Sequence, residues 1–189
     1  MQLSLALDEY VVFDLETTGL SPWGGDEVVE IAAMRIKGDE LDEVNVFNTL
    51  VNPKRIIPPE ASRVNGITNE MVRNAPTVEE VFPKFLDFVG DAYLVAQNAK
   101  FDMAFVSKYL VKFKMKRDLE VYDTMHFSRK AYPEERRHNL DIICQRLDLK
   151  IEDGERHRSL GDVKLTARAF LKLREKLGDN IPNREKWTI

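Results

Sequence analysis

The stretch Tyr10-Val-Val-Phe-Asp-Leu-Glu-Thr-Thr-Gly19 predicts a short strand that is buried in a sheet and ends in a turn. Its β-branched and aromatic residues favour a central strand, and its Thr-Thr-Gly end favours a turn where backbone can approach a ligand. Asp14 and Glu16 lie two residues apart, so their side chains share one face of the strand. Two carboxylates on one face repel each other unless protons or cations neutralise them. On these residues alone, the pair is either a solvated strand end or the start of a cation site.

The residues that follow predict an antiparallel meander. Two further β-rich runs cover 28–36 and 44–51, and Gly38-Asp39 lies between them. A Gly-containing dipeptide between two such runs is typical of a tight hairpin turn. The first fifty or so residues are therefore expected to form three neighbouring strands.

Beyond Pro58-Pro59 the pattern changes to helices that alternate with strands. Thr77-Val-Glu-Glu80 has the form of a capping box and predicts the start of a helix. Strands are predicted at 93–96 and 120–122, and helices at 101–113, 140–147 and 160–177. We therefore expect an α/β fold with a five-stranded mixed sheet, in which parallel strands with crossover helices follow the antiparallel meander.

Composition limits the class of protein. The 189 residues divide into an N-terminal extension at 1–9, a globular domain at 10–177 and a C-terminal tail at 178–189. Lys and Arg number 28 against 32 Asp and Glu, which excludes binding of nucleic acid mainly through bulk positive charge. Such a balance still allows a nuclease whose acids hold metal ions. The single cysteine fits a reducing compartment. With no signal peptide and no apolar run of about 18 residues, we expect a cytoplasmic protein without membrane contact.

Two later segments carry further acids. Asp102 ends the run Gln97-Asn-Ala-Lys-Phe-Asp102, directly after a predicted strand, and Asp162 ends His157-Arg-Ser-Leu-Gly-Asp162 at the start of the last predicted helix. Taken singly, an acid in the first turn of a helix is often only a partner of the helix dipole. A lone histidine is most often structural, so neither segment identifies a site by itself.

Together, the three segments resemble the DEDDh class of 3′–5′ exonucleases, the DnaQ-like family, and within it the epsilon proofreading subunit or exonuclease domain of bacterial DNA polymerase III. The likeness runs from about Tyr10 to Leu173 in the order of the family. The lesser matching motifs are Asn65-Gly-Ile-Thr68, Tyr122-Asp-Thr124 and His138-Asn-Leu-Asp141.

The resemblance implies a ribonuclease H-like three-layer α/β/α fold and a two-metal site. It implies that two divalent ions, Mg²⁺ or Mn²⁺, are held by four acids, which are Asp14, Glu16, Asp102 and Asp162. His157 corresponds to the general base, and Asp14 and Glu16 join it as catalytic residues. The implied contacts to the terminal nucleotide are Leu15, Thr17, Thr18, Glu60, Asn65, Phe101 and His157.

The chain departs from the family pattern at two places. Gln97 and Asn65 each stand where many relatives have histidine. Neither position is a metal ligand in the family, so activity is expected to survive. Asn65 can still donate a hydrogen bond but cannot become cationic, which changes its expected contact with the substrate.

The expected function is a metal-dependent 3′–5′ exodeoxyribonuclease that releases nucleoside 5′-monophosphates from single-stranded or mispaired DNA ends, in proofreading or repair. The implied partners are a DNA 3′ end and the catalytic subunit of DNA polymerase III. One alternative is an RNA-trimming exonuclease of the same family. Another is a module that docks on a polymerase without catalysis, but clustered acids have no use in docking alone.

Overall fold

The computed structural model describes residues 9–150 and 158–188. His157, the expected general base, lies outside the described residues. The strands are β1 (Tyr10–Thr17), β2 (Val28–Lys37), β3 (Glu40–Leu50), β4 (Tyr93–Ala96), β5 (Asp118–Asp123) and β6 (Glu185–Thr188). The helices are α1 (Pro59–Asn65), α2 (Asn69–Val72), α3 (Val78–Val89), α4 (Ala99–Lys112), α5 (Thr124–Ala131), α6 (Leu140–Arg146) and α7 (Ser159–Leu177).

One mixed sheet with the strand order β3-β2-β1-β4-β5-β6 organises the described residues. β1 pairs antiparallel with β2 and parallel with β4, so it lies inside the sheet. β2 and β3 complete the antiparallel meander, and β4 and β5 are parallel. The predicted α/β fold, with a meander followed by parallel strands, is therefore confirmed.

The sheet has six strands instead of the expected five. β6 pairs antiparallel with β5 and comes from the segment that the sequence assigns to the tail. Trp187 of β6 packs against the core, and the Arg184 guanidinium lies 3.9 Å from the ring centre of Tyr93. These contacts hold the segment against the sheet, and the four-residue strand has no periodicity that would predict it.

Two apolar cores lie on opposite faces of the sheet, as the three-layer expectation requires. Val11, Phe13 and Leu15 of β1 face one core, which includes residues of α3 and α4. Val12 faces the other core, which includes residues of α5 and α7. Because side chains alternate along a strand, Asp14 and Glu16 lie on the same face of the sheet as Val12, the face that α7 covers.

Two helices begin beside the end of β1. α4 follows β4 after only two residues, and its preceding Asn98 adopts a left-handed conformation with φ 59°. α7 begins at Ser159 and packs on β1 and β2. Across the described residues, we find no helix that combines the length and the apolar composition needed to cross a membrane.

Candidate active site

Three carboxylates converge where β1 meets the start of α7. One oxygen each from Asp14, Glu16 and Asp162 lies within 4.8 Å of the other two. Asp14 and Glu16 share a face of β1 through the two-residue repeat, and Asp162 lies in the first turn of α7. All three side chains are half-buried. Residues that are almost 150 positions apart in the chain thus form one anionic cluster.

Asp102 joins this cluster from the other side of β1. It lies in the first turn of α4 and is 3% exposed, so its carboxylate needs hydrogen-bond donors. The backbone N–H of Leu15 donates to Asp102 Oδ1 at 3.1 Å. Leu15 is the residue between Asp14 and Glu16, so this bond places the fourth acid beside both of them.

Burial and mutual repulsion favour the protonated forms of three of these acids, Asp14, Glu16 and Asp102. Burial raises the pKa of Asp14 well above its usual range, and the charges of Asp102, Glu16 and Asp162 raise it further. Burial, followed by the charges of Asp162 and Glu30, raises the pKa of Glu16 to about 8. The pKa of Asp102 is also raised, chiefly by burial. At neutral pH the cluster therefore either keeps protons or takes up cations.

The donor set suits a hard divalent cation. It consists of carboxylate oxygens, which Mg²⁺ and Mn²⁺ prefer to nitrogen or sulfur ligands. The oxygens of Asp14, Glu16 and Asp162 are close enough to share one ion. A bound cation would also remove the repulsion that, in addition to burial, raises the pKa values of Asp14 and Glu16. The residues present therefore fit the metal that the sequence resemblance implies.

Asn65 supports the cluster from α1. It is buried, and its side-chain amide donates to the Thr17 carbonyl at 3.3 Å and accepts from the Ile67 N–H at 3.0 Å. A hydrogen bond from Asn65 to Glu16 lowers the pKa of Glu16 against the larger effect of burial. This residue, expected only as a nucleotide contact, therefore also fixes the end of β1.

The other residues expected to contact nucleotide differ in exposure. Thr17 and Thr18 are buried, and their hydroxyls bond to the Gly19 carbonyl and to Asp26, at 2.7 and 3.2 Å. The set is completed by Leu15, which is 5% exposed in the core, by half-buried Phe101 and by exposed Glu60 in the first turn of α1. Their nucleotide contacts stay predictions.

Gln97 has a structural partner at each end of its amide. Its nitrogen donates to the His138 carbonyl at 2.9 Å, and its oxygen accepts from the Thr124 hydroxyl. The His138 ring is itself bonded to Ser128 and to the Glu135 carbonyl. At this position, the amide thus ties the segment before α4 to α5 and to the loop before α6.

Sequence reasoning missed Glu30, and it included Asp123 in a matching motif without predicting its contacts. Glu30 of β2 pairs with Arg158, and Asp123 accepts the backbone N–H groups of Asn98 and Ala99 at 3.0 and 3.2 Å. The available signal for Glu30 was a lone carboxylate inside the apolar run from Val28 to Met34. Such a residue in a buried strand needs a partner, although the sequence does not say which one.

Comparisons with known proteins identify the family of the chain. A family model described as Exonuclease (RNase T) matches residues 11–170. DNA polymerase III subunit epsilon of Aquifex aeolicus is 37% identical over 169 residues, which cover 89% of this chain and 81% of that protein. An epsilon-like protein of Rhodobacter capsulatus is 44% identical over 164 residues, 87% of this chain but 23% of that protein. A PolC-type DNA polymerase III of Clostridium perfringens is 39% identical, with 90% of this chain and 12% of that protein covered.

Solved structures share the fold. Exonuclease X in complex with 5′-overhanging duplex DNA has a TM-score of 0.72 at 27% identity and covers 89% of this chain and 93% of its own. The nuclease domain of 3′hExo, a DEDDh family member bound to rAMP, has a TM-score of 0.79 at 20% identity, with 95% and 98% covered. The second likeness is one of fold alone.

The architecture is the ribonuclease H-like exonuclease fold, and the chain belongs to the exonuclease (RNase T) family. Within that family it is similar to the DNA polymerase III epsilon subunit of Aquifex aeolicus, at 37% identity, and to the epsilon-like protein of Rhodobacter capsulatus, at 44%. The chain spans about a quarter or less of the length of the first curated relatives that it matches.

Proposed function

We propose that this chain is a metal-dependent 3′–5′ exonuclease that releases nucleoside 5′-monophosphates from single-stranded or mispaired DNA ends. The observation that carries the proposal is the convergence of Asp14, Glu16 and Asp162, with Asp102 bonded to the backbone between the first two. A buried group of acids is costly unless cations neutralise it. Four carboxylates against two divalent ions balance to zero, so a loaded site need not repel a phosphodiester.

The protein residues divide the work as follows. Asp14, Glu16, Asp102 and Asp162 would hold two divalent ions, which when bound polarise the phosphate and stabilise charge on the attacking and leaving oxygens. Asp102 is kept in place by the Leu15 N–H, and Glu16 by Asn65. His157 would accept the proton of the attacking water, because an imidazole with a pKa near 6.5 is available as a base at neutral pH.

The residues that would contact the terminal nucleotide are inferred from the family resemblance and from the exposure of their side chains. Half-buried Phe101 is the candidate for stacking on the terminal base, a contact typically worth about 1–3 kcal/mol with little sequence preference. Asn65 would donate a hydrogen bond to an oxygen of the terminal nucleotide, and Thr17 and Thr18 would contact its base or sugar. Exposed Glu60 is placed at the opening of α1, where the terminal nucleotide is expected.

The likeness to polymerase subunits supports DNA as the substrate and a DNA polymerase III catalytic subunit as the partner. It is a likeness of sequence, so both stay proposals. An RNA-trimming enzyme would share every one of the four acids. The distinction depends on whether the pocket admits a 2′-hydroxyl.

A degradation time course tests the proposal. DNA and RNA oligonucleotides of the same sequence, labelled at the 5′ end, are incubated with the purified protein in Mg²⁺, in Mn²⁺ or in chelator. We expect a ladder that shortens by one nucleotide at a time from the 3′ end of DNA, only with metal. Faster shortening of RNA would favour the alternative substrate. Absence of mononucleotide release in either metal would contradict the proposal and favour a docking module.

A further inference from the structure

Glu30 is a buried acid that lies next to the cluster, but its carboxylate is bonded to other residues. It faces Glu16 directly across the β1–β2 pair and is 1% exposed. Both of its oxygens are bonded to the segment that opens α7. Arg158 donates to them from Nε at 3.1 Å and from Nη2 at 2.6 Å, and the Ser159 N–H donates to one of them at 3.1 Å.

The two donor residues are neighbours of proposed active-site residues in the sequence. Arg158 and Ser159 lie between His157 and Asp162, that is, between the proposed base and a proposed metal ligand. Three hydrogen bonds to one carboxylate therefore fix Arg158 and Ser159, where α7 begins, against β2. A planar guanidinium bonded through two nitrogens is restricted in both position and rotation.

The charge of Arg158 also needs a partner that is not a metal ligand. Its guanidinium is close enough to Glu16 to influence that carboxylate, yet two of its nitrogens bond to Glu30. Without Glu30, the nearest acids would be those of the cluster, and Arg158 would compete with cations for them. With Glu30, Arg158 adds no uncompensated positive charge beside the proposed metal site.

A carboxylate is an expensive choice at this position for stability alone. Replacing a buried ion pair by apolar residues of similar size is often neutral or stabilising, since no charge is then desolvated. The neighbours of Glu30 along β2, Val29 and Ile31, are buried apolar residues. An apolar pair could therefore fill the same space, and a role beyond packing is the simpler account of Glu30 and Arg158.

We propose that Glu30 is a positioning residue that holds the segment from Arg158 to Asp162 in place and keeps Arg158 away from the metal-binding acids. The inference rests on the proposed exonuclease function. The proposal gives Glu30 two effects: it fixes the position of the segment, and it neutralises the charge of Arg158. Different substitutions remove each effect. Loss of a residue that orients a metal site without binding the metal typically lowers metal affinity or activity by about 10–100-fold.

Three variants separate these effects. Glu30→Gln keeps the shape but leaves Arg158 unpaired, so Mn²⁺ affinity and kcat should each fall by about 10–100-fold. Arg158→Lys keeps the charge pair but loses the two-nitrogen bond, so Mn²⁺ affinity should stay within about twofold while kcat falls by about tenfold or more. The double change of Glu30 and Arg158 to Met removes both charges. It should restore Mn²⁺ affinity and the melting temperature but not kcat.

Mn²⁺ affinity is measured without substrate, from the electron paramagnetic resonance signal of free Mn²⁺, and kcat and KM on a DNA oligonucleotide. Glu27→Gln is the matched control, because Glu27 is a half-buried acid that, like Glu30, pairs with a cation, in this case Lys108 at 2.7 Å. It should leave Mn²⁺ affinity, kcat and KM near the parent values. If Glu30→Gln does not fold, the double Met variant still tests the inference through its restored Mn²⁺ affinity and low kcat.

The inference fails if the parent protein is active and the Glu30→Gln variant has the same kcat and Mn²⁺ affinity as the parent. It also fails if the folded double Met variant has the parent kcat. An inactive parent protein that nevertheless binds Mn²⁺ would instead contradict the proposed function, while the effect of Glu30 on Mn²⁺ affinity could still be measured. The two failures are thus distinguishable.

Discussion

The backbone N–H of Leu15 donates a hydrogen bond of 3.1 Å to Asp102, a residue 87 positions further along the chain. This bond fastens the first turn of α4 to the middle of the acidic pair on β1. The donor is an amide in the centre of a sheet, and the acceptor is a buried carboxylate. The acids on β1 and the acid on α4 are therefore positioned by the same backbone segment.

Asp14→Asn should abolish most activity and also stabilise the metal-free protein. The change keeps the shape and removes an acid whose pKa is raised by burial and by the charges of its neighbours, so that it costs stability in the folded state at neutral pH. We expect hydrolysis to fall by about 10²–10³-fold, the size typical for loss of one electrostatic group. The melting temperature in chelator should rise at neutral pH. Asp91→Asn, at an exposed turn, is the control. A lower melting temperature of Asp14→Asn would contradict the electrostatic account.

His157→Ala should separate catalysis from metal binding. A positioned general base contributes about 10²–10⁴-fold, so kcat is expected to fall by that order. Mn²⁺ affinity should change little, because the proposed ligands are carboxylates. His126→Ala is the matched control, since His126 is part-exposed on α5 and near Glu185. Turnover of His157→Ala at the parent rate would remove this residue from the role of base.

Metal-free stability should fall as the pH rises. The pKa of Glu16 is raised from 4.5 to about 8 in the folded protein. Between these values the folded state binds more protons than the unfolded chain, so the free energy of unfolding decreases with rising pH through this window. Asp14 and Asp102 act in the same direction.

Thermal unfolding at pH 5.5 and pH 8.5, with chelator or with Mn²⁺, checks this expectation. The same Mn²⁺ concentration is used at both pH values, and a hundredfold excess over the Kd at pH 8.5 adds about 2.7 kcal/mol there, or about 5–10 °C for a domain of this size. The increase from Mn²⁺ should be larger at pH 8.5. An equal increase at both pH values would mean that the acids are already ionised in the metal-free protein.

Asp123→Ala should weaken both the fold and the site. The Asp123 carboxylate accepts three backbone N–H groups, from Asn98, Ala99 and Met125, at 3.0, 3.2 and 2.8 Å. Loss of these caps should cost about 2 kcal/mol or more. Because the freed segment leads into α4, Mn²⁺ affinity should fall as well. Asp118→Ala, at the exposed start of the same strand, should change neither the unfolding free energy nor the affinity measurably.

The order of the strands and long helices along the chain was predictable from local sequence patterns. The apolar run of β1, the hairpin at Gly38-Asp39 and the capping box before α3 all appear as expected, with Thr77 N–H donating to Glu80 at 2.7 Å. β6 was not predicted, because only tertiary contacts hold it. α5 is short and mostly polar, and its start depends on the cap from Asp123.

The candidate site was predictable in part. The shared face of Asp14 and Glu16 follows from the strand repeat, and the remaining acid positions from motif resemblance. The partnership of Glu30 with Arg158 could not be predicted, because the two residues are 128 positions apart and no local pattern links them. The structural role of Asn65 was missed for the same reason, since its contact with Thr17 spans 48 residues.

The most direct test of the central claim is the position of Mn²⁺ in crystals soaked with Mn²⁺ and a nucleoside 5′-monophosphate. We expect two anomalous scattering peaks about 3.5–4 Å apart, each about 2 Å from carboxylate oxygens of the set Asp14, Glu16, Asp102 and Asp162. The His157 ring should lie beside them. Peaks bound elsewhere, or no peak within coordinating distance of Asp14, would contradict the account.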